Sequence, residues 1–123
     1  MIRLSSSVAL EIVLGGTVAT TQPHVTVSCY DVPNQTKEDS SEYRGTTFLS
    51  KTNNTTAVSI CVAPPIVGTV RNIDYVCLFN ADSASVTPTI RLNDGATTFT
   101  QYSQSVAAGK SLVYESGSGW QVL

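Results

Sequence analysis

The chain contains one histidine, His24, which follows Pro23 at the start of a predicted strand. Acid–base catalysis near neutral pH needs a group that titrates there, and a catalytic triad needs a histidine between a nucleophile and an orienting acid. Since serine and threonine are frequent throughout, a hydroxyl near His24 would carry no information. We interpret His24 as a solvated residue at a strand start, and we expect the protein not to be an enzyme.

The acidic residues do not form a recognisable ligand pattern. Glu38 and Asp39 are adjacent and would point in opposite directions on a strand, whereas Asp82 and Asp94 lie in turn sequences. The sequence has no calcium-loop motif and no histidine pair for zinc. The Ser-Gly-Ser-Gly stretch at 116–119 lacks the following lysine and helix of a phosphate-binding loop, so it predicts a hairpin tip. We expect no metal and no cofactor.

Three cysteines stand at positions 29, 61 and 77. No two are close enough in sequence to form a Cys-x-x-Cys pair, and three cannot all pair within one chain. We therefore expect all three to be reduced and mostly buried, as free cysteines usually are.

Two aromatic residues form a candidate surface patch. Tyr114 and Trp120 lie on adjacent predicted strands across a four-residue turn, which would make them cross-strand neighbours. Exposed together, they could stack on a sugar or dock a partner. Alternatively, Trp120 closes one end of the core, because tryptophan is usually largely buried.

The segment 31–45 is a long polar stretch that holds six of the chain's charged residues, which comprise seven Lys+Arg and nine Asp+Glu. Loops of this length are uncommon in small domains and are often functional, although a solvated excursion is the alternative. Together with the aromatic pair, this segment supplies the candidate partner-contact residues, which are Lys37, Glu38, Asp39, Glu42, Tyr43, Arg44, Tyr114 and Trp120.

Length and composition point to a single all-β domain over residues 1–123. Only 13% of the 123 residues are charged, and the chain has 15 Ser, 16 Thr and 15 Val. Abundant β-branched residues and scarce charged helix formers favour strands. The net charge of −2 lacks the clustered positive charge that nucleic acids require, so we expect no nucleic-acid partner.

Short apolar runs with period-two alternation, separated by turn residues, predict about nine strands in a single antiparallel, jelly-roll-like β-sandwich. The run from Thr69 to Asn80 is the longest and is predicted to be central and covered on both faces near its end. The predicted strands are Val8–Leu14, Val25–Tyr30, Thr46–Ser50, Thr56–Val62, Thr69–Asn80, Val86–Leu92, Thr97–Tyr102, Ser111–Glu115 and Trp120–Leu123.

The first residues loosely imitate a signal peptide, since Arg3 precedes the apolar run Val8–Leu14. Glu11 lies in the middle of that run, however, where a signal peptide would not place a charge. We interpret the run as a strand and expect synthesis in the cytoplasm. The longest apolar run is far shorter than the roughly 20 residues that span a bilayer, so we expect no membrane partner.

The second half of the chain resembles small structural proteins of tailed bacteriophages. The resemblance lies in residues 75–82, in residues 86–95 and, most specifically, in residues 107–123, which follow the pattern AAG-x-x-L-x-Y-x-x-G-x-GW-x-VL. The N-terminal strand through Gly16 is similar more weakly.

This resemblance implies a virion component that binds the major capsid protein or other virion proteins. The first expectation is a capsid decoration (cement) protein on the head surface. Icosahedral symmetry suggests that it forms a trimer. The alternatives are a tail, neck or fibre component, or a carbohydrate-binding module for host attachment.

Overall fold

The computed structural model describes residues 1–33 and 44–123, and within these ranges it is all-β and contains no helix. It confirms the antiparallel β-sandwich, with ten strands in the described ranges where the sequence predicts about nine. The strands are Ile2–Leu4 (β1), Ala9–Leu14 (β2), His24–Pro33 (β3), Arg44–Lys51 (β4), Val58–Cys61 (β5), Thr69–Phe79 (β6), Pro88–Asn93 (β7), Thr98–Ser103 (β8), Ser111–Glu115 (β9) and Gly119–Val122 (β10).

Two antiparallel sheets face each other. The larger sheet has the order β10-β9-β6-β3-β4, with β1 pairing to β6, and the smaller has the order β5-β2-β7-β8. Consecutive strands pair within one sheet at β3–β4, β7–β8 and β9–β10, and all other consecutive strands lie in different sheets. This repeated crossing between layers is a property of jelly rolls. The in-sheet pair β7–β8 follows from its Asn93-Asp94-Gly95 turn, where Gly95 has a positive φ of 94°.

The core is built from alternating residues that the two sheets direct at each other. Val25 and Val27 on β3 and Leu10 and Ile12 on β2 are all fully buried. Since successive side chains of a strand point to opposite faces, the intervening residues are directed outward. Burial of these aliphatic side chains supplies the main stabilisation of the fold.

The central strand β6 carries a bulge, and the exposure of its outward side chains corrects one sequence prediction. Ser28 pairs with Tyr75 and Cys29 pairs with Ile73, so Asp74 is an extra residue in the ladder. β6 is central, as predicted, because β3 and β9 flank it. The predicted cover on both faces near its end is wrong, because Tyr75 is only half-buried and Phe79 is 42% exposed.

The ends of the predicted polar loop at 31–45 also differ from the structure. β3 continues to Pro33 and β4 begins at Arg44, with Asp31 paired to Arg44 in the ladder. Strand pairing therefore extends into both ends of this polar stretch, and its middle, residues 34–43, lies outside the described ranges.

Glu11, the charge within an apolar run, lies on β2 opposite Arg91 of β7. Its Oε1 accepts a hydrogen bond of 2.5 Å from Arg91 Nε, and its Oε2 accepts one of 3.2 Å from Asn93 Nδ2. The side chain is buried but paired, which satisfies a carboxylate that burial alone would destabilise. The prediction that this segment is a strand is confirmed.

A buried carboxylate holds together the two long connections at one end of the sandwich. Asp82 accepts backbone hydrogen bonds of 2.9, 2.7 and 3.0 Å from Ala19, Thr20 and Thr21. Asn80, which is fully buried, accepts a 3.0 Å bond from the Asp82 N–H. These bonds fix the β2–β3 connection against the β6–β7 connection. Asp82 therefore stabilises its own turn and also holds a distant part of the chain.

We expect Asp82→Asn to lower the Tm at pH 7 by about 5 °C, because the amide replaces one acceptor oxygen with a donor. The backbone donors, that of Ala19 first, lower the pKa of Asp82 well below its ordinary value of 3.8. Because the pKa of Asp82 is lower in the folded state than in the unfolded state, its ionised form stabilises the fold at pH values above the unfolded-state pKa. This contribution is lost as the pH falls below about 4. Thermal melts from pH 7 to pH 2 should therefore show the difference between wild type and variant shrinking below pH 4.

The matched control for that measurement is Asp74→Asn, since Asp74 is exposed on the β6 bulge. We expect it to change the Tm little at pH 7. An Asp82→Asn variant that melts like the wild type at pH 7 would contradict the role assigned to this carboxylate.

Candidate protein-contact surface

An aromatic cluster closes one side of the sandwich. Trp120 on β10 lies opposite Tyr114 on β9, so the predicted cross-strand neighbours are confirmed. Trp120 stacks on Tyr102 of β8 with ring centroids 5.0 Å apart and an interplanar angle of 6°. Because β8 belongs to the smaller sheet, this stack joins the two layers.

Tyr114 is a structural residue of this cluster. It is 4% exposed, and its hydroxyl accepts a 3.0 Å hydrogen bond from the backbone N–H of Ile2 at the start of β1. Its ring is tilted by 45° to that of Trp120, which is itself half-buried. The two rings therefore do not form the exposed, coplanar pair that sugar stacking requires, and the interpretation of Trp120 as closing the core fits the geometry.

The charged candidates lie mostly beyond the described ranges. Arg44 starts β4 and pairs through its backbone with Asp31. The remaining predicted contact residues fall outside the described residues, and they are Lys37, Glu38, Asp39, Glu42 and Tyr43. Whether this segment contacts a partner stays a prediction.

The structure presents a surface that the sequence reasoning did not single out, the outward side of the larger sheet. Strand pairing places Leu49, Thr26, Cys77, Val113 and Gln121 in one row across five strands. One further row of outward-pointing residues lies on each side of this central row. We call this surface the outer face, and its other members are His24, Lys51, Phe79, Ser111, Leu123, Thr47, Ser28, Tyr75, Glu115 and Gly119.

The outer face is apolar and hydroxyl-rich, and its two charged residues, Lys51 and Glu115, lie in different outer rows. Leu49 is 78% exposed and Phe79 is exposed as well, whereas Val113 in the central row is buried. The Tyr75 phenol is neutral at physiological pH, and a hydrogen bond with the Cys77 side chain raises its pKa further. Contact with a partner would therefore remove little charge from water.

The outward side of the smaller sheet is different, because it carries the paired charges Glu11 and Arg91. Next to them Thr89 and Ser103 exchange a 3.0 Å hydrogen bond across β7 and β8. The two surfaces of the sandwich are therefore chemically distinct, and of these two the outer face has the composition of an interface core, with few charged groups and exposed aromatic and aliphatic side chains.

A second apolar feature lies at the sandwich end near the polar segment. The connection from β5 to β6 exposes Val62, Ile66 and Val67, the last by 86%. This connection leads to Thr69, which pairs with Pro33 at the end of β3. The apolar connection therefore leads to the end of β3, the last described residues before position 34.

The sequence did contain a signal for the outer face. Thr26 and Ser28 alternate with buried valines on β3, and Tyr75, Cys77 and Phe79 alternate with Val76 and Leu78 on β6. The second pattern is apolar on both sides, which by itself predicts a strand covered on both faces. The exposure of Phe79 in the folded structure shows that this side of the strand meets solvent.

Among the described residues, no group of three or more histidine, cysteine or acidic side chains is placed to hold a metal ion. Nor does that part of the chain contain a helix of the length and hydropathy needed to cross a membrane. His24 starts β3 and is exposed, as the sequence suggests.

Fold and surface together define an antiparallel β-sandwich with one weakly charged face. Comparison with known proteins does not narrow this class: no family model, no curated protein and no solved structure matches the chain.

Proposed function

We propose that this protein is a structural component of a tailed bacteriophage particle, a capsid decoration protein that binds neighbouring capsid subunits through the outer face. The resemblance of residues 107–123 to phage structural proteins supports the setting. The observation that carries the mode of binding is the uncharged row across five strands, with Leu49 exposed within it and Phe79 exposed beside it.

The chemistry of the face suits a protein partner with a flat, weakly charged surface. Burying a charged side chain without a partner is costly, whereas hydroxyl groups can exchange water for a hydrogen bond across the contact. Phe79 and Leu49 offer apolar area near the middle and the edge of the face. Nucleic acid would instead require several positive charges, and Lys51 is the one lysine or arginine among the residues of this face.

The size of the face favours binding in many copies. Five strands about 4.8 Å apart and three rows about 6.8 Å apart give a footprint of roughly 500 Å². A standard specific interface buries about 800 Å² on each partner, so one such contact alone is weak. An oligomer that engages several capsid subunits at once gains avidity, and we propose a homotrimer on the head surface.

The carbohydrate-binding alternative depended on an exposed platform formed by Tyr114 and Trp120. Because Tyr114 is buried and the rings are tilted by 45°, this geometry does not favour it. A tail, neck or fibre component would use the same kind of contact. The number of copies per particle distinguishes this alternative from a head protein.

The test is quantitative mass spectrometry of purified particles together with electron microscopy of particles with and without the protein. We expect on the order of hundreds of copies per particle and added density on the head surface, as a symmetric shell requires. About three to twelve copies would place the protein in the tail or neck instead. Absence from purified particles would contradict a virion role altogether.

A further inference from the structure

Two buried thiols from opposite sheets lie against each other. Cys29 is on β3 of the larger sheet and Cys61 is on β5 of the smaller sheet, and both are free and buried. Their Sγ atoms are 4.0 Å apart. A disulfide needs about 2.05 Å, and rotation about the Cα–Cβ bonds can supply an approach of that size.

A positive charge lies beside this pair. Arg71 donates a 2.8 Å hydrogen bond to the carbonyl of Val62, the residue after Cys61, and bonds of 2.7 and 3.0 Å to Asp31. The hydrogen bond from Cys61 lowers the pKa of the Cys29 thiol, and the Arg71 charge lowers it further. The same hydrogen bond raises the pKa of Cys61. Cys29 is therefore the more nucleophilic of the two, since the thiolate is the reactive form.

We propose that Cys29 and Cys61 form an oxidisable dithiol, a modification site that reacts with a two-electron oxidant such as hydrogen peroxide and becomes a disulfide between the two sheets. The Cys29 thiolate attacks a peroxide oxygen, which gives a sulfenic acid and hydroxide. The Cys61 thiolate then attacks the Cys29 sulfur, the S–S bond forms and a second hydroxide leaves. The two thiol protons convert both hydroxides to water, so two thiols and one peroxide yield one disulfide and two waters.

The disulfide would add a covalent link between the two layers. It would close a loop between β3 and β5, which constrains the unfolded chain and stabilises the fold. In a reducing compartment the pair stays as thiols, and in an oxidising one it closes. This inference rests on the geometry of the two cysteines and is independent of the proposed virion role.

Cys77 supplies the matched control. It lies on the outer face, half-buried, whereas the other two cysteines point into the core. Cys77→Ser removes the thiol that would link two molecules and leaves the core pair unchanged. Trypsin cleavage after Lys37, Lys51 and Arg71 places Cys29, Cys61 and Cys77 on three separate peptides, so the pairing can be read directly.

The experiment treats reduced Cys77→Ser protein with hydrogen peroxide, followed by alkylation in denaturant, intact mass and peptide mapping. We expect a monomer that has lost two hydrogen atoms, resists alkylation and yields a peptide linking Cys29 to Cys61. Its Tm should rise by about 10 °C and return on reduction. Cys29→Ser or Cys61→Ser in the same background should abolish the mass loss.

Three results would overturn the proposal. One is a monomer that keeps both thiols alkylatable after excess peroxide. Another is oxidation that stops at sulfinic acid. The third is a linked peptide without any rise in Tm, which would show that the bond does not form in the native sandwich. Because the mass and peptide measurements use Cys77→Ser protein, with both core cysteines intact, the proposal remains testable even if a core serine variant fails to fold.

Discussion

Phe79→Lys is expected to weaken attachment to the proposed virion partner about 30-fold, which corresponds to the loss of one strong interface residue. The ring is 42% exposed on the outer face, and a lysine there would place an unpaired charge in a buried contact. Because the residue lies at the end of β6 and faces solvent, the Tm should change by no more than about 2 °C. Co-sedimentation with particles that lack the protein measures the binding.

Phe99→Lys is the matched control for this prediction. Phe99 is a comparably exposed phenylalanine, at 51%, but it lies on β8 of the smaller sheet. We expect Phe99→Lys to bind like the wild type. If both variants bind equally well, the outer face is not the contact; if Phe99→Lys alone loses binding, the contact lies on the β8 side of the molecule.

Trp120→Ala is expected to destabilise the fold by about 3 kcal/mol, the lower end of the range for large aromatic residues in cores. The ring is half-buried, stacks on Tyr102 at 5.0 Å and contacts Tyr114 at 4.9 Å. Aromatic pairs add about 0.5–1.5 kcal/mol each beyond the area they bury. Removing the indole breaks the contact that joins β8 to β10 across the two sheets.

Urea unfolding followed by circular dichroism measures this loss, with Phe99→Ala as the control for an exposed ring. Trp120→Phe should recover more than half of the lost stability, since a phenyl ring can still stack on Tyr102. A thermal shift of only a degree or two for Trp120→Ala would instead place the ring at the surface and reopen its role as a contact residue.

Local patterns predicted most of the strands correctly. Ser111–Glu115 matches the observed β9 at both ends, and the Asp-Gly turn at 94–95 joins β7 and β8 as its sequence indicates. These signals work because alternation and turn chemistry depend on residues close together in the chain. β1 was missed because three residues are too few for a periodic pattern to be recognised.

Features that depend on distant residues could not be predicted in this way. The bulge at Asp74 changes which β6 residues point inward, and it exists only in the pairing with β3. The burial of Tyr114 depends on Ile2, over a hundred residues earlier in the chain. A hairpin sequence predicts which residues pair across its two strands, but it does not predict whether the second sheet covers that pair.

Residue patterns along the chain were enough to predict an all-β sandwich, the pairing of Tyr114 with Trp120 and an exposed His24 at a strand start. Which side of the central strand β6 meets solvent, and which cysteines meet across the core, became known only from the folded arrangement. Strand formation can be predicted because it follows from a period of two along the chain. Exposure and side-chain proximity depend instead on the order in which distant strands pair.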